Sequence, residues 1–181
     1  MTKVAIVGAT GPTGIHLAAE LRKAKTAVRV IARGADKLAR LFPEAAVEKR
    51  PADILDADAT MRAIEGCDLV YDCIGLPGDL MHLHPVTARN TASAARRTNA
   101  RCIQVSSYWA YYPQVRAEMN ENHPRSGGPP WVRYRREAED VLYGRRRNPA
   151  SAGFLRATRA CQYNAERAKR GGLRPNHQLA R

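Results

Sequence analysis

The sequence predicts an α/β fold: a doubly wound, mostly parallel sheet in a three-layer αβα arrangement, incomplete at its C-terminal end. Short apolar runs alternate with segments of helical periodicity over the first 143 residues, and this alternation is typical of a parallel sheet covered on both faces. A glycine-rich turn joins the first apolar run to the first helical segment. With 181 residues, of which 44% are hydrophobic, the chain is long enough for one domain with a sizeable core.

The first half of the chain is predicted to hold three strands and three helices in alternation. In order, they are the apolar run 4–7 that ends in glycine, apolar residues at helical spacing over 15–21, the stretch AVRVIA at 27–32, a helix at 37–42 closed by a proline, a weaker strand at 47–51 and a helix at 57–64 ended by a glycine. Short apolar runs bounded by glycine suit buried parallel strands, whereas apolar residues three and four apart suit helices.

The second half continues the same pattern. It contains the strand-like stretch LVYDCI at 69–74, an alanine-rich helix at 85–98, a buried strand at 102–105 followed by two serines, and a further helix that closes over 137–143. Residues 122–130 are rich in glycine and proline and are interpreted as a flap over the site. Ligands of such sheets bind at the carboxyl ends of the strands, near the switch in strand order, and the motifs below all lie at such ends.

Charge divides the chain into a predicted domain, residues 1–143, and a basic tail, residues 144–181. The chain has a net charge of +13, and the tail holds ten Lys or Arg against one acid, Glu166. A basic tail can bind polyanions without sequence specificity, or it can be an unstructured segment that is only incidentally basic. We expect a disordered or non-native tail and no specific nucleic-acid partner.

The composition indicates a cytoplasmic protein that does not contact membranes. No apolar stretch approaches the roughly 20 residues that a transmembrane helix needs, and the N-terminus lacks the pattern of a signal peptide. The four cysteines, at positions 67, 73, 102 and 161, show no metal or redox spacing and are interpreted as reduced and mostly buried. The sequence leaves the oligomeric state open.

The turn GATGPTG, residues 8–14, carries the main functional signal. Glycine permits a tight turn and a close approach of the backbone to a phosphate, and the N-terminus of the following helix offers unpaired N–H groups. Because the turn lies between a strand and a helix, it predicts dinucleotide binding rather than a purely structural role. The predicted cofactor-binding residues of the turn are Gly8, Thr10, Gly11, Pro12, Thr13 and Gly14.

The spacing G-x-x-G-x-x-G resembles that of the short-chain dehydrogenase/reductase superfamily, in its extended and atypical branches, the NAD-dependent epimerase/dehydratase and NmrA-like proteins. The resemblance covers residues 3–143 and includes Asp53-Ile54 after strand three, DCIG at the end of strand four and VSSYWAYYP at the end of strand five. It implies a Rossmann fold that binds NADP or NAD and acts on a small-molecule substrate.

The resemblance also implies roles for residues beyond the turn. Asp53 and Ile54 would contact the adenine, the strand-four end with Cys73 and Gly75 would pass close to the cofactor, and Ser107 would supply an active-site hydroxyl. The alternative for Asp53 is a helix or turn cap.

The end of strand two favours NADP over NAD. An acid there would bind the ribose 2′-hydroxyl, whereas an arginine would accept a 2′-phosphate. The sequence has Arg33, with Lys37 as a helper, and no acid before Asp36. A competing interpretation makes Arg33 an exposed loop charge.

The chain departs from the superfamily at its catalytic pair. Trp131 and Arg135 stand where catalytic members have the Tyr and Lys of Y-x-x-x-K. Trp has no titratable proton and Arg stays protonated, so an ordinary proton relay is not expected, although Arg135 can hold a ribose or a phosphate. The candidate catalytic residues are Ser107, Tyr111 and Arg135. The tyrosines at 108, 111 and 112 are alternatively packing or substrate-wall aromatics.

His82 and His84 form an H-x-H pair that could bind a metal. No third ligand follows at a fitting spacing, so a loop role is predicted for both and no metal site.

The sequence after Tyr143 loses the pattern of the superfamily, which continues there with a sixth strand. No strand-like apolar run appears, and arginine is heavily over-used. Read one base later, with permitted codons, residues 149–158 give Arg-Leu-Pro-x-Asp-Phe-Tyr-Gly-Pro-His, which resembles the sixth-strand segment. The hypothesis is a truncation or a shift of reading frame near Tyr143, with poor stability as its consequence.

Three functions remain open at this stage. The first is an NADP-preferring oxidoreductase or epimerase/dehydratase-like enzyme that passes a hydride between nicotinamide and a carbonyl or alcohol carbon. The second is a dinucleotide-sensing protein without turnover, which the loss of the Tyr and Lys favours. The third is an inactive truncated product, which the tail favours.

Overall fold

The computed structural model describes residues 2–117 and 123–143. They form a parallel sheet of five strands in the order β3-β2-β1-β4-β5. The strands are β1 (Lys3–Val7), β2 (Ala27–Ala32), β3 (Glu48–Pro51), β4 (Leu69–Asp72) and β5 (Arg101–Gln104). All five predicted strands are confirmed, with small differences at their ends.

Helices connect successive strands and cover both faces of the sheet. They are α1 (Pro12–Lys23), α2 (Ala35–Leu41), α3 (Ala57–Ile64), α4 (His84–Arg97) and α5 (Pro130–Tyr143), with short 3₁₀ helices at Gly78–Leu83 and Tyr108–Tyr111. α1 and α2 pack on one face, and α3, α4 and α5 pack on the other. The predicted three-layer, doubly wound Rossmann architecture is therefore confirmed.

The last helix begins at a proline. The prediction gives 137–143 as the stretch over which this helix closes and sets no first residue, and α5 begins at Pro130. Proline suits the first position of a helix because its missing N–H would have no intrahelical acceptor there. This start places Trp131 and Arg135 on the helix.

Small residues let α4 pack closely in the larger of the two cores. Ala88, Ala92 and Ala95 are almost completely buried, at the spacing of one helix face. This face meets the side of the sheet that Val70 and Cys102 occupy, and Ala138 and Leu142 of α5 complete the same core. α4 and α5 therefore form one packed layer beside the sheet.

Strand order reverses around β1, which pairs with β2 on one side and β4 on the other. Val7 is in register with Ile31 of β2 and with Asp72 of β4. The turns that follow these three strands therefore emerge side by side at the carboxyl edge. A crevice at such a switch point is where open α/β sheets bind their ligands.

The remaining expectations concern membranes and cysteines. None of the helices within residues 2–117 and 123–143 is long and apolar enough to cross a membrane. Cys67 and Cys102 are buried and Cys73 is half-buried, and all three are free thiols. Cys161 and the basic tail lie outside the described residues.

Candidate functional site

A cavity of about 570 Å³ opens at the carboxyl edge, across the switch point. The turns after β1, β2, β3 and β4 line it, together with the helix Gly78–Leu83 and the start of α4. Its walls contain nearly all of the predicted cofactor residues: Gly8, Thr10, Gly11, Pro12, Thr13, Arg33, Asp53, Ile54, Cys73 and Gly75. The structure thus brings together residues that are spread over almost seventy positions of the sequence.

The glycines of the turn have different structural roles. Gly8 has a φ of +76°, and a Cβ there would lie 3.0 Å from the backbone of Cys73. Gly14 does not line the cavity; a Cβ on it would come within 2.6 Å of the Cα of Ala9. Gly8 therefore shapes the turn against β4, and Gly14 allows α1 to pack tightly on the turn.

The N-terminus of α1 faces the cavity without an anionic partner from its own helix. Gly11 is the N-cap, no side chain caps the helix, and its first turn contains no acid. The first N–H groups of a helix have no intrahelical acceptor, and the helix dipole is positive at this end. The arrangement fits a phosphate group, as the glycine pattern predicts.

Two cations line the wall that continues from β2. Arg33 and Lys37 are exposed and both border the cavity. Neither forms an ion pair with a carboxylate among the residues that the structure describes. Their charges are thus available to an anionic group in the cavity.

The turn after β3 is held by hydrogen bonds from two directions. The Oδ1 atom of Asp53 accepts a hydrogen bond from the N–H of Leu55 at 3.0 Å. Asn90 of α4 donates from its Nδ2 atom to the carbonyl oxygens of Ile54, at 2.8 Å, and Leu55, at 3.0 Å. Asp56, rather than Asp53, caps α3. Asp53 therefore shapes a turn and borders the cavity at the same time.

A buried carboxylate lies at the end of β4. Asp72 is 3% exposed, and its Oδ1 atom accepts a hydrogen bond from the N–H of Ile74 at 3.1 Å. Burial raises the pKa of Asp72 to about 6, against the opposing effects of that N–H and of the Arg135 charge. Burial, followed by the charge of the adjacent Asp72, raises the pKa of the Cys73 thiol to about 12. This thiol is therefore protonated at neutral pH and a poor nucleophile.

Arg135 packs against His84 behind the cavity. Its Nη1 atom lies 3.2 Å from both ring nitrogens of His84. Burial, followed by the Arg135 charge, lowers the pKa of His84 to about 4. The predicted loop role is wrong for His84, which is the first residue of α4 and only 3% exposed. His82 is exposed, on the helix Gly78–Leu83.

Ser107 and Tyr111 lie on the segment that follows β5. The Oγ atom of Ser107 accepts from the N–H of Trp109 at 3.4 Å and so caps the short helix Tyr108–Tyr111. The ring of Tyr111 packs edge-on against the buried His123. Neither residue, nor Arg135, is among the described residues that line the cavity. The structure therefore assembles the predicted cofactor residues and leaves the three catalytic candidates outside that cavity.

A buried arginine fixes the segment after β5. Arg136 is 8% exposed and donates hydrogen bonds to the carbonyl oxygens of Ala110, Tyr112 and Gly127, each at 2.6 Å. Three backbone carbonyls from two separate segments thus converge on one guanidinium. The predicted flap is tied to α5 at Gly127 by this contact; residues 118–122 lie outside the described residues.

The sequence matches the model of a protein family described as NAD(P)H-binding over residues 8–148. The chain belongs to this NAD(P)H-binding family. The match begins at the first glycine of the turn and runs through every wall of the cavity. No curated protein sequence matches the chain significantly.

Solved structures of the same fold include several enzymes. The Bordetella bronchiseptica enzyme WbmG, in complex with NAD and UDP, has 17% identity and a TM-score of 0.68 over 77% of this chain and 48% of its own. The UDP-Glc/GlcNAc 4-epimerase from Campylobacter jejuni has 18% identity and a TM-score of 0.70 over 78% and 48%. The UDP-N-acetylglucosamine 4-epimerase from Bacillus cereus has 16% identity and a TM-score of 0.68 over 86% and 56%. The chain spans about half the length of these structures, and the likeness confirms the predicted Rossmann fold.

For this NAD(P)H-binding chain, the sequence pattern missed three residues around the site. Asp72 carries a signal that could have found it, because a charged residue interrupts an otherwise apolar strand. The H-x-H pair drew attention to His84 but not to its contact with Arg135, and Asn90 carries no signal, since each contacts a partner that is at least 35 positions away in the sequence. Their roles depend on how α4 packs, which no local pattern reveals.

Proposed function

We propose that this chain is an NADP-preferring oxidoreductase or an epimerase/dehydratase-like protein. The observation that supports it is the combination, in one cavity, of an uncapped helix N-terminus with two cations that have no carboxylate partner within residues 2–117 and 123–143. The turn from Gly8 to Thr13 would hold the pyrophosphate, Arg33 and Lys37 the 2′-phosphate, and Asp53 and Ile54 the adenine end. Cys73 and Gly75 would border the nicotinamide end.

The nicotinamide, when bound, supplies or accepts a hydride at a carbonyl or alcohol carbon of a small-molecule substrate. In this proposal the hydroxyl of Ser107 polarises the substrate oxygen. Tyr111 is the residue with a titratable hydroxyl on the same segment, and Arg135 would hold a ribose or phosphate oxygen. The proposed domain spans residues 1–143, and a cytoplasmic location belongs to the same proposal.

Binding titrations with NADPH and NADH test the cofactor preference. We expect tighter binding of NADPH, and a loss of about tenfold in NADPH affinity in Arg33→Ser, because a charge-assisted contact to the 2′-phosphate would be removed. NADH affinity should change little in this variant. The matched control is Arg40→Ser, since Arg40 is exposed on α2, the helix that follows Arg33, but does not line the cavity. Tighter binding of NADH by the unmodified chain would reject the NADP preference.

A second candidate function is NADP sensing without turnover, in the manner of NmrA-like proteins. It is favoured by Trp131 and Arg135, which stand at the Tyr and Lys places and cannot exchange a proton at neutral pH. NADPH oxidation over a panel of carbonyl compounds separates the two functions. Turnover with any member supports the enzyme, whereas NADPH binding without turnover, combined with NADPH-dependent capture of a protein partner, supports the sensor.

A further inference from the structure

Four aromatic side chains cluster beyond the end of β5. We call Tyr108, Trp109, Tyr112 and Trp131 the aromatic platform. The Trp109 ring lies 4.5 Å from that of Tyr108 and 5.8 Å from that of Tyr112, measured between ring centroids. Trp131 stacks on Tyr112 at 6.0 Å and meets Trp109 edge-on at 5.5 Å. The four rings thus form one connected surface.

This surface is open to solvent. Tyr108 is 50% exposed, and Trp109 and Tyr112 are each 41% exposed. Large rings that cluster at the surface forgo the free energy of burial, and contiguous exposed apolar patches commonly mark binding sites. Tyr and Trp rings also lose little conformational entropy when a ligand stacks on them. The platform is therefore built as a contact surface rather than as core.

The backbone that carries the platform is held rigidly. Arg136 donates to the carbonyl oxygens of the platform residue Tyr112, of Ala110 between Trp109 and Tyr112, and of Gly127. Beneath it, Arg125 forms ion pairs with Glu139 at 3.1 Å and with Asp140 at 2.8 Å. Rigid placement before binding reduces the entropy that a ligand contact must overcome.

The platform lies at the same edge of the sheet as the cofactor cavity. Tyr108 directly follows Ser107, beyond the carboxyl end of β5, and β5 pairs with β4, whose end lines the cavity. α5 packs against the helix Tyr108–Tyr111 and also against the helix Gly78–Leu83. Leu80 and Leu83 of the latter border the cavity. One helix thus connects the platform to the cavity wall.

We propose that the aromatic platform is a substrate subsite that stacks a planar aromatic ring. The inference rests on the proposed function, because it assigns the ring to the substrate that would meet the cofactor at this edge. Flat π faces such as those of Trp109 and Tyr108 attract other planar rings and discriminate poorly between ring types. The ring could therefore belong to an aryl carbonyl compound or to a nucleobase, and binding experiments distinguish the two.

Calorimetry on the full chain, with and without saturating NADPH, tests the subsite. The aryl probe is 2-acetylnaphthalene, compared with its saturated analogue 2-acetyldecalin. The nucleobase probe is uridine diphosphate, compared with pyrophosphate, and saturating NADPH keeps it out of the cofactor cavity. We expect one of the two aromatic probes to bind more tightly than its non-aromatic partner, and the identity of that probe names the source of the ring.

Variants connect this binding to the platform. Trp109→Ala and, independently, Tyr108→Ala should each lower the affinity for the aromatic probe by about fivefold or more. Trp109→Phe should retain most of the affinity. Val115→Ala is the control, because Val115 is a non-aromatic, 59% exposed residue on the same segment. The proposal is overturned if neither aromatic probe binds more tightly than its non-aromatic partner, or if both alanine variants bind the aromatic probe as tightly as the parent does. Failure of the NADPH titration alone would instead count against the proposed function.

Discussion

The guanidinium of Arg135 packs against the imidazole of His84, and its Nη1 atom lies 3.2 Å from each ring nitrogen. The contact joins α5, which carries Arg135, to the first residue of α4, and the two residues are 51 positions apart in the sequence. Burial lowers the pKa of Arg135, and the negative charges of Asp72 and Glu139 oppose that shift. A cation, a neutral ring and a buried acid thus share one enclosed region at the carboxyl edge.

His84 should make the protein sensitive to acid. Its pKa is about 4 in the folded state, against about 6.5 in an unfolded chain. Between these values the unfolded state binds a proton that the folded state excludes, so the free energy of unfolding falls as pH decreases from 6.5 to 4. The loss amounts to about 3 kcal/mol at most. Urea unfolding at pH 7.5 and pH 5 measures it.

The variant His84→Gln isolates this contribution. Asp72 acts in the opposite direction: because its pKa is raised to about 6, its contribution to stability falls as pH increases from 4 to 6. The comparison between variant and parent cancels that effect to first order. We expect a weaker loss of stability at pH 5 in His84→Gln, and an unchanged loss in the control His82→Gln, whose ring is exposed. Equal losses in His84→Gln and the parent would contradict the assignment.

The sequence could predict the cofactor cavity because each of its walls follows directly from local order. Gly8 directly follows β1 and Arg33 directly follows β2. Residues in these positions lie at the carboxyl edge of any such sheet. The strand order β3-β2-β1-β4-β5 then brings these ends together. By contrast, the contact of Arg135 with His84 depends on the packing of α5 against α4. The sequence did not indicate the role of Arg136 either, because a buried arginine cannot be distinguished in a sequence from an exposed one on a helix.

Substitution of Gly14 should lower stability, whereas substitution of Gly75 should weaken cofactor binding. A Cβ on Gly14 would lie 2.6 Å from the Cα of Ala9, so Gly14→Ala should lower the free energy of unfolding by about 1–3 kcal/mol. A Cβ on Gly75 would meet nothing within 4 Å. Gly75→Ala should therefore keep the parent's melting temperature while weakening NADPH binding, because the added methyl group enters the cavity.

Calorimetric unfolding and NADPH titration of the two variants check this separation. Gly66→Ala is unsuitable as a control because its φ of +76° strains any other residue, whereas Gly78→Ala meets open space and does not line the cavity. Gly78→Ala should leave cofactor affinity unchanged. Unaltered NADPH affinity in Gly75→Ala would show that the cofactor does not approach the end of β4.

Asn90 should position the turn after β3, which borders the cofactor cavity, without lining that cavity itself. Its amide holds the carbonyl oxygens of Ile54 and Leu55, so Asn90→Ala releases the turn from α4. We expect a loss of about 1 kcal/mol in the free energy of unfolding and weaker NADPH binding. Arg89→Ala, an exposed neighbour on the same helix, should change neither. NADPH affinity equal to the parent's in Asn90→Ala would show that the turn keeps its shape unaided.

Arg136 should control the mobility of the segment after β5. Its planar guanidinium donates hydrogen bonds to three carbonyl oxygens at 2.6 Å. A lysine ammonium is a single compact group and cannot donate to all three oxygens at once. Arg136→Lys should therefore leave the fold intact and speed amide hydrogen exchange at Ala110 and Tyr112, whose N–H groups bond to Ser107 and Trp109 within the same segment. Exchange at Val4 and Val70, in the central strands, should stay slow. The exposed neighbour Arg133→Lys provides the control. If exchange at Ala110 and Tyr112 is equally fast in parent and variant, the guanidinium does not restrain the segment, and the rigidity of the aromatic platform must come from its own ring contacts.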